Sequence, residues 1–473
     1  MPSFAAFRWN IGSLSAVVLL AALLPGCATL SPTASWNAEP AILARIHAPE
    51  FPHKDFLITD YGAVAGGTQD CTAAINQAIA VCSAADGGRV VVPKGVFLTG
   101  AIRLLSNVNL HLNDDSTLKF SPDPAKYLPL VLTRFESTEC MNYSPFIYAF
   151  QQENIAITGT GTLDGSAGEN VWWDWTGPGK PAGPDSRKLV AMSDQGIPPE
   201  KRIMGGAYHL RPNFIQPNRC QNVLIEGVHI RNSPMWEVNP VLCNNVIVRG
   251  LDILSLGPNN DGCDPESCKD VLIENCIFQT GDDCIAIKSG RNDDGRRIGV
   301  ATDGVIIRNC SMKDGHAGVA IGSEISGGCR NVFIENCQMS SPNLERALRF
   351  KNNAQRGGLL ENFFMRNVTI GQVKEAVVTI DFLYQEGANG HYQATLRNVQ
   401  LENVTCQSSP RVMYVLGYPK AVIDQISFKD CTFKGVTSPE LLIDAGAVLL
   451  QNTRIEPQEI PRSLSTQPNP SAP

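Results

Sequence analysis

Residues suited to acid–base chemistry are concentrated in four short polar segments in the second half of the chain. The segments are Asn259-Asn260-Asp261, Gly281-Asp282-Asp283, Gly315-His316 and Arg349-Phe350-Lys351. Asp282 and Asp283 are adjacent, so they can face one cleft only where a strand bends, and Gly281 provides a place for that bend. Three carboxylates in one cleft repel one another, so at least one pKa should rise toward neutral. Such an acid can donate a proton while its neighbours stay ionised.

Two cations accompany the aspartates. Arg349 and Lys351 are two residues apart, so they share one face of a strand while Phe350 turns into the core. A guanidinium can hold a carboxylate through two hydrogen bonds, and an ammonium can hold it as a point charge. The pair therefore predicts an anionic substrate. Lys288 and Arg291, which follow the aspartate pair, are further candidates for contacts with a carboxylate.

Each of these segments also has a purely structural interpretation. Asn-Asp-Gly and Gly-Asp-Asp are ordinary turn sequences, and a single histidine such as His316 is commonly a structural residue. A calcium loop around Asp261 and Asp264 is a third alternative, although the full EF-hand spacing is missing. The ordered recurrence of all four segments favours a functional site.

The elements that must position these residues are short strands that recur along the chain. The clearest copies are NVLIEGVHI (222–230), NVIVRGLDI (245–253), DVLIENCIF (270–278), GVIIRNCSM (304–312), NVFIENCQM (331–339) and NFFMRNVTI (362–370). Strand units that return at this spacing without helical periodicity between them indicate stacked coils. We therefore expect an all-β fold, a right-handed parallel β-helix. A propeller blade needs four strands in roughly 40–45 residues, which this spacing does not allow.

Aligned repeats place cysteine, valine and leucine in one column. Its members are Val228, Leu251, Cys276, Cys310, Cys337, Val368, Val404 and Cys431. Because a free cysteine behaves as a small hydrophobe, these four thiols are predicted to face the core. Cys263 and Cys268 are better candidates for a disulfide. A helix over Thr72–Cys82, with Asp70 as its N-cap, is expected to cover the open end of the coils.

The whole chain carries a net charge of −7, from 39 Lys and Arg against 46 Asp and Glu. This sign argues against a nucleic-acid partner. The length of 473 residues alone would suggest about three domains at ~150 residues each, but the repeats indicate one solenoid. We expect the catalytic β-helix to span residues 51–450, with a tether before it (28–50) and a disordered tail after it (451–473).

The N-terminus resembles an export signal. An apolar run in residues 1–27 is too short to span a bilayer, and it ends in Leu24-Pro25-Gly26-Cys27, which is similar to a bacterial lipobox. We therefore expect export to the periplasm or outer membrane, with Cys27 lipidated. Simple secretion is the alternative. A lipid anchor is the only membrane contact expected.

Four sequence motifs carry a resemblance to a known family. NNDGCD (259–264), GDDCIAIKSG (281–290), GHAGVAIGSE (315–324) and RFK (349–351) resemble, in order and spacing, the signature segments of the polygalacturonases, glycoside hydrolase family 28. The resemblance extends over roughly residues 55–435. It implies a right-handed parallel β-helix that hydrolyses pectic α-1,4-galacturonosyl linkages with inversion, without a metal or cofactor. We expect the protein to be a monomer.

The resemblance also implies catalytic roles. Asp282 corresponds to the general acid, Asp261 and Asp283 to the groups that position and deprotonate the attacking water, and His316 to a residue that supports the acid. Inverting glycosidases keep their acid and base about 6.5–9.5 Å apart to leave room for that water. We therefore expect such a separation here.

Substrate contacts follow from the same resemblance. Arg349 and Lys351 correspond to ligands of the substrate carboxylate, and Asn259 helps to hold the site. Tyr384 is a candidate for the leaving-group side, and Lys288 for a further carboxylate contact.

The long segment from Pro122 to Pro217 resembles insertions of bacterial exo-acting members. Such loops could close one end of the cleft and permit attack only from a chain terminus. Trp172, Trp173 and Trp175 could stack on sugar rings or pack the insertion onto the body. Other pectic substrates (rhamnogalacturonan or xylogalacturonan), a calcium-dependent lyase and a non-catalytic carbohydrate-binding β-helix remain alternatives.

Overall fold

Each recurring sequence phrase forms two short strands joined by one residue in the left-handed backbone region. These corner residues, with φ between +52° and +81°, are Gly227, Gly250, Asn275, Asn309, Asn336, Asn367, Asn403 and Asp430. Glycine adopts this conformation without a steric penalty, and asparagine and aspartate tolerate it better than other residues do. The corner turns the chain from one sheet into the next, which explains why Gly, Asn or Asp recurs at this place in the sequence.

The computed structural model describes residues 35–457, which wind into the predicted right-handed parallel β-helix. Sheet A has 13 strands: Asp55–Leu57, Gly88–Val92, Val108–Leu112, Glu153–Gly159, Gln221–Glu226, Asn244–Arg249, Lys269–Glu274, Thr302–Arg308, Cys329–Glu335, Gly358–Arg366, Ala394–Glu402, Val422–Lys429 and Val448–Gln451. Sheet B has 12: Gly95–Thr99, Ser116–Phe120, Thr162–Asp164, His229–Arg231, Asp252–Ser255, Ile277–Thr280, Ser311–Asp314, Gln338–Met339, Thr369–Gln372, Thr405–Ser408, Thr432–Val436 and Arg454–Pro457.

Sheet C forms the third face and carries the segments of interest. Its six-stranded part is Ile285–Ile287, Val319–Ile321, Arg346–Lys351, Ala376–Asp381, Arg411–Leu416 and Leu441–Ile443. A three-stranded part consists of Ile102–Arg103, Ile147–Phe150 and Ile215–Asn218. Single bridges through Val238 and Cys263 connect the two parts, so that one face continues along the coils.

The core runs along the axis of the coils. All eight residues of the predicted column are at most 2% exposed, which confirms their inward orientation. Every cysteine among residues 35–457 is a buried free thiol. Cys263 and Cys268, the better candidates for a disulfide, are therefore both free thiols. The backbone of Cys263 forms single β-bridges to the neighbouring coils in sheet C. The Cys268 thiol contacts the carbonyl oxygens of Pro240 and Glu266.

The α-helices lie outside the coils. Their bounds are Glu39–Leu43, Thr72–Ala84, Ala182–Asp194 and Asn292–Ile298, and 3-10 turns span Trp36–Ala38, Ile58–Tyr61, Pro124–Tyr127, Trp172–Trp175 and Pro199–Lys201. The predicted capping helix is confirmed, because Thr72–Ala84 buries Ile75 and Ile79 against the first coils. Cys71 is its N-cap, but the Asp70 carboxylate accepts the hydrogen bond from the Thr72 amide. No helix within residues 35–457 is both long and apolar enough to cross a membrane.

Residues 36–51, called the strap here, pack along the outside of sheet A. Ile42 and Ile46 belong to one buried apolar cluster with outward-facing residues of seven successive strands: Ala156, Leu224, Ile247, Leu272, Ile306, Phe333 and Phe364. Arg45 forms an ion pair with Asp270 at 2.5 Å. The expectation of a tether over 28–50 is therefore wrong from residue 35 onward, because these strands have apolar residues on both faces and the strap covers the outer one.

The C-terminal boundary also differs from the prediction. Residues 451–457 complete the last strands of sheets A and B, so the structured part extends beyond 450. The rest of the expected tail (458–473) and the signal segment with Cys27 lie outside the described residues.

The insertion contains an antiparallel hairpin, Val131–Phe135 and Thr138–Asn142, which is called the wall hairpin below. Trp172 is buried against Tyr127 and Phe146, and the Trp173 indole donates to the Ser233 carbonyl. These contacts favour the packing role for the tryptophans, because the rings are engaged by the protein itself.

The strap predicts a stability effect far from the site. Ile42→Ala should lower the free energy of unfolding by about 2–3 kcal/mol, since it removes a buried side chain and leaves a cavity. Urea denaturation followed by circular dichroism measures the change. Val64→Ala, at a half-exposed position outside the strap, is the control and should stay within about 0.5 kcal/mol of the unmodified protein. Equal stability of the two variants would contradict docking of the strap.

Candidate active site

The predicted site residues lie where successive coils turn from sheet B into sheet C. Asp282 and Asp283 connect the strands Ile277–Thr280 and Ile285–Ile287, and His316 occupies the matching turn of the next coil. Asp261 lies two residues before Cys263, which bridges to Ile285. Because the coils are stacked in register, residues 20–35 positions apart in sequence meet on one face. The predicted gathering of the four segments is confirmed by the cavity that they line.

Gly281 permits the bend that the aspartate pair needs. A Cβ on Gly281 would lie 2.0 Å from the Gly257 carbonyl oxygen of the previous coil, so only glycine allows this approach. The chain leaves regular strand geometry between Thr280 and Ile285. As a result, the carboxylates of Asp282 and Asp283 both turn toward Asp261.

The gathered residues surround a cavity of about 360 Å³, near the lower end of the range of roughly 300–1,000 Å³ for small-molecule sites. Its lining residues are Glu136, Trp236, Asn259, Asp261, Asp282, Lys288, His316, Ser323, Glu324, Glu345, Arg349, Lys351, Tyr384 and Gln385. All but two of the predicted acid, base and substrate-contact residues within the described range line it. The exceptions are Asp283, which is fully buried, and Arg291, which pairs with Glu136.

Asp261 is one of several buried carboxylates at the site whose pKa is raised. Burial raises its pKa well above the usual range, and the charges of Asp264 and Asp282 add to the effect. Its Oδ1 atom has no hydrogen-bond partner among the described residues. The predicted raised pKa is therefore present, and Asp261 carries it. Asp261 is thus suited to accept a hydrogen bond, or to exchange a proton, with a bound molecule.

Asp282 forms a pair with His316. The imidazole Nδ1 lies 2.8 Å from Asp282 Oδ1, and this hydrogen bond raises the pKa of His316 to about 8. Burial alone would raise the pKa of Asp282, but the His316 hydrogen bond and the Lys351 charge outweigh it and lower the pKa to about 2. At neutral pH the pair is therefore an imidazolium and a carboxylate, so the titrating proton resides on His316.

Asp283 is held by the two cations of sheet C. Lys351 Nζ lies 2.5 Å from Asp283 Oδ2, and Arg349 Nη1 lies 4.0 Å from Oδ1. Phe350 points into the core between them, as predicted. Lys351 is thus engaged by the protein. Arg349 has an Nε atom without a partner among residues 35–457 and faces the cavity, so it is the freer of the two cations for an anionic ligand.

Lys288 lies beneath the other side of the site. Its ammonium is 3.6 Å from carboxylate oxygens of both Asp261 and Asp264 and 3.4 Å from Glu324. It also lies 4.3 Å from the ring centroid of Trp236, a cation–π distance. Three protein carboxylates and one ring therefore surround the charge. This environment favours a role in balancing Asp261, and the predicted contact with a substrate carboxylate stays a prediction.

Asn259 and Tyr384 come from different coils, and both line the cavity. The Trp236 indole donates to the Asn259 side-chain oxygen at 3.3 Å, which fixes the amide. Tyr384 follows the strand Ala376–Asp381, and its ring centroid lies 5.5 Å from the Arg349 guanidinium carbon. Both residues are therefore placed to contact a bound ligand.

The three aspartates approach one another more closely than expected. One oxygen from each of Asp261, Asp282 and Asp283 lies within 4.8 Å of the others, so the expected separation of about 6.5–9.5 Å is wrong for the nearest oxygens. The reason is that the bend at Gly281 and the adjacent coil bring all three to one point. The same three oxygens form the acidic group that could hold a metal ion, although Lys351 and Lys288 already supply positive charge there.

Several cavity residues were not predicted from the sequence. Glu324 lies inside the GHAGVAIGSE motif and could have been recognised there. Trp236 lies in a loop between repeats, and Glu136 lies at the tip of the wall hairpin, some 125 residues before Asp261. No spacing rule relates an insertion to the coils, so the sequence offered no signal for Glu136.

Comparison with known proteins shows that the chain is similar to several proteins named as polygalacturonases. A hyperthermoactive exopolygalacturonase from Thermotoga maritima is 43% identical, with a TM-score of 0.86 over 89% of this chain and 96% of that one. A probable polygalacturonase of Vitis vinifera is 30% identical over 71% of this chain, and an exo-poly-alpha-D-galacturonosidase of Dickeya chrysanthemi is 26% identical over 74%. The chain spans 64% and 62% of the length of these two curated relatives.

Two family models match different parts of the β-helix. Residues 56–125 match the model "Rhamnogalacturonase A/epimerase, pectate lyase-like", which covers the capped end. Residues 206–444, about half of the chain and all of the predicted motifs, match the model of glycosyl hydrolases family 28. With this match, and with the motif residues gathered in one cavity, the chain belongs to glycosyl hydrolase family 28.

Proposed function

We propose that the protein is an exo-acting hydrolase of α-1,4-linked galacturonate chains. One observation carries the proposal: a single cavity combines a proton-holding carboxylate–imidazole pair, two further buried carboxylates and the partly unpaired guanidinium of Arg349. This set can cleave a glycosidic bond beside a sugar that carries a carboxylate. The 43% identical exopolygalacturonase supports both the substrate class and the exo mode.

Asp282 and His316 supply the proton for the leaving oxygen. In the free site, the imidazole holds the proton and Asp282 is ionised. Substrate binding expels water, and a drier site favours the neutral forms of both groups. The proton then moves to Asp282, which transfers it to the glycosidic oxygen as the bond breaks. His316 is therefore a positioning residue and the store of the catalytic proton.

Asp261 and Asp283 act on water. Asp261 lines the cavity but is almost fully buried, and Asp283 is fully buried, so we assign neither to direct attack on the anomeric carbon. A water held at these carboxylates attacks the anomeric carbon from the face opposite to the leaving group, which inverts the configuration. Its proton passes to Asp283 or to the ionised form of Asp261. Lys351 balances the charge of Asp283, and the orphaned Oδ1 of Asp261 is free to orient the water. The short carboxylate separation therefore reflects a water site shared by several aspartates.

Arg349 binds the carboxylate of the sugar next to the cleaved bond. Its guanidinium lines the cavity together with Asp282 and His316, and the guanidinium carbon lies 5.5 Å from the ring centroid of Tyr384. Lys351 contributes charge but remains tied to Asp283. A neutral sugar would leave Arg349 unsatisfied in a half-closed cavity, so a galacturonate is preferred.

Two further proposals concern the context of the enzyme. The cavity is built from one chain, so a monomer is sufficient for activity. We also propose export with Cys27 as the lipidated first residue of the mature protein, supported by the lipobox-like sequence; residues 1–34 lie outside the described range. A periplasmic or outer-membrane location would place the enzyme where pectic oligomers arrive.

Loss of the general acid tests the proposed reaction. Asp282→Asn should lower kcat on polygalacturonate by about 10²–10⁴-fold, the usual contribution of general acid catalysis. The measurement is the release of reducing ends in the presence of EDTA, where the unmodified enzyme should remain active. Asp115→Asn, which alters an exposed ion pair with Lys94, is the control. Full activity of Asp282→Asn would contradict the assignment, and an ultraviolet-absorbing product that requires calcium would indicate a lyase.

The pH dependence of kcat/KM tests whether His316 holds the catalytic proton. Because the pKa of His316 is raised to about 8, the imidazole is protonated below that pH and loses the proton above it. We expect kcat/KM of the unmodified enzyme to fall as the pH rises through about 8. His316→Gln should lower activity and abolish this alkaline limb. An alkaline limb that is unchanged in His316→Gln would show that another group controls it.

The stereochemistry of the first product distinguishes water attack from a covalent route. Proton NMR of early digestion products from an α-linked oligogalacturonate should show the β-anomer first, followed by mutarotation to the equilibrium mixture. An initial α-anomer would mean that a carboxylate attacks the sugar directly, as the close spacing of the aspartates alone would suggest.

A further inference from the structure

We propose that Glu136, at the tip of the wall hairpin, is a specificity-determining residue that recognises the free hydroxyl at the non-reducing end of the substrate. The inference rests on the proposed function and deepens it. Glu136 lines the same cavity as Asp261 and Asp282 but comes from the insertion and not from a coil. A substitution of Glu136 therefore leaves the coils that carry the catalytic aspartates unchanged.

Buried ion pairs hold the wall hairpin in place. Arg134 and Glu266 are fully buried and lie 2.5 Å apart, which ties the hairpin to the coil beneath it. On the other strand of the hairpin, the Glu139 carboxylate forms ion pairs with Arg219 Nη2 at 2.7 Å and with Arg297 Nη2 at 2.6 Å. Its amide also donates to Asp294. Buried pairs are costly to break, because an uncompensated charge remains, so the hairpin forms a rigid wall.

The hairpin turn aims Glu136 into the cavity. Glu136 and Ser137 both have positive φ values, +41° and +63°, as in a tight two-residue hairpin turn. Arg291 Nη1 donates to Glu136 Oε2 at 3.0 Å, and Ser186 donates to the same oxygen at 3.1 Å. Within residues 35–457, the other oxygen, Oε1, has no hydrogen-bond partner. It is available to accept a hydrogen bond from a ligand.

A chain of oppositely charged side chains connects Glu136 with Asp261, one of the two carboxylates assigned to the attacking water. Arg291 pairs with Glu136 and lies within electrostatic reach of Glu324, which contacts Lys288 at 3.4 Å. Lys288 in turn lies 3.6 Å from Asp261. His316 and Glu345 lie toward the other side, beyond Asp282. Water attacks the sugar that keeps its anomeric carbon, so that sugar and the non-reducing end lie toward Glu136.

The charges at the Glu136 end of the cavity favour a chain terminus. Glu136 and Glu324 line this end and are paired with Arg291 and Lys288, so the carboxylate of a further galacturonate residue would meet two protein carboxylates that already hold these cations. The terminal sugar instead carries a free hydroxyl at C4, which is glycosylated in every internal residue. A carboxylate oxygen without a partner is a strong acceptor for such a hydroxyl. This end of the cavity therefore selects the end of the chain by both attraction and repulsion.

Binding measurements test the assignment independently of catalysis. The Asp282→Asn enzyme and its Glu136→Ala derivative are titrated calorimetrically with trigalacturonate and with the 4,5-unsaturated trimer, which lacks the terminal C4 hydroxyl. We expect Asp282→Asn to bind the saturated trimer about 10- to 100-fold more tightly, as for a hydrogen bond to a charged group. Glu136→Ala in this background should bring the two affinities within about threefold. Glu136→Gln, which keeps a neutral acceptor, should give an intermediate preference.

Two controls separate a specific contact of Glu136 from a general change in binding. Glu361→Gln, which alters an ion pair with Arg397 on the outer face of sheet A, should leave the preference intact. Reduction of the reducing end of trigalacturonate to an alditol should not change its affinity. A preference that survives in Glu136→Ala, tenfold weaker binding of the reduced trimer, or the absence of binding to either trimer would overturn the assignment. If the unmodified enzyme releases no product from polygalacturonate but the preference is present, the hydrolase proposal fails and the role of Glu136 stands.

Discussion

Backbone hydrogen bonds between successive coils set the geometry on which the site depends. Parallel strands in register place each residue directly beside its partner one coil away, at about 4.8 Å. Ala286, Ala320 and Arg349 form one such row in sheet C. The two alanines are small, so the guanidinium of Arg349 has room beside the aspartates. Any slip by one residue would exchange inward and outward faces and would move Phe350 to the cavity in place of its charged neighbours.

The balance of charge beneath the cavity follows from this stacking. Neighbouring coils bring several carboxylates together away from solvent, and the protein compensates from two sides. Lys351 pairs with Asp283, whereas Lys288 lies among Asp261, Asp264 and Glu324. A proton on the Asp282–His316 pair supplies further compensation, and burial raises the pKa of Asp261. The site thus holds a proton before the substrate arrives, as acid–base catalysis requires.

Two elements outside the repeated coils, the strap and the wall hairpin, have separate roles. The strap covers an apolar stripe on sheet A and shares no residue with the lining of the cavity, so we assign it to stability. The wall hairpin is anchored by buried ion pairs and contributes one residue, Glu136, to the cavity. Under the proposed function, the coils carry the reaction and the insertion determines which part of a polymer can enter. This division would let a solenoid with an open groove act on chain ends.

The sequence by itself determined the fold and the central residues, because both are written in a repeat. Corner residues with positive φ, the Cys/Val/Leu column and the four motifs all recur at the spacing of the coils, so alignment of the copies predicted their contacts. Three features were decided only by the tertiary structure. The strap and Glu136 belong to segments without any register relative to the coils. The protonation states of Asp282 and Asp261 depend on distances and burial that no spacing encodes, which is why the sequence predicted a raised pKa but could not assign it to Asp261.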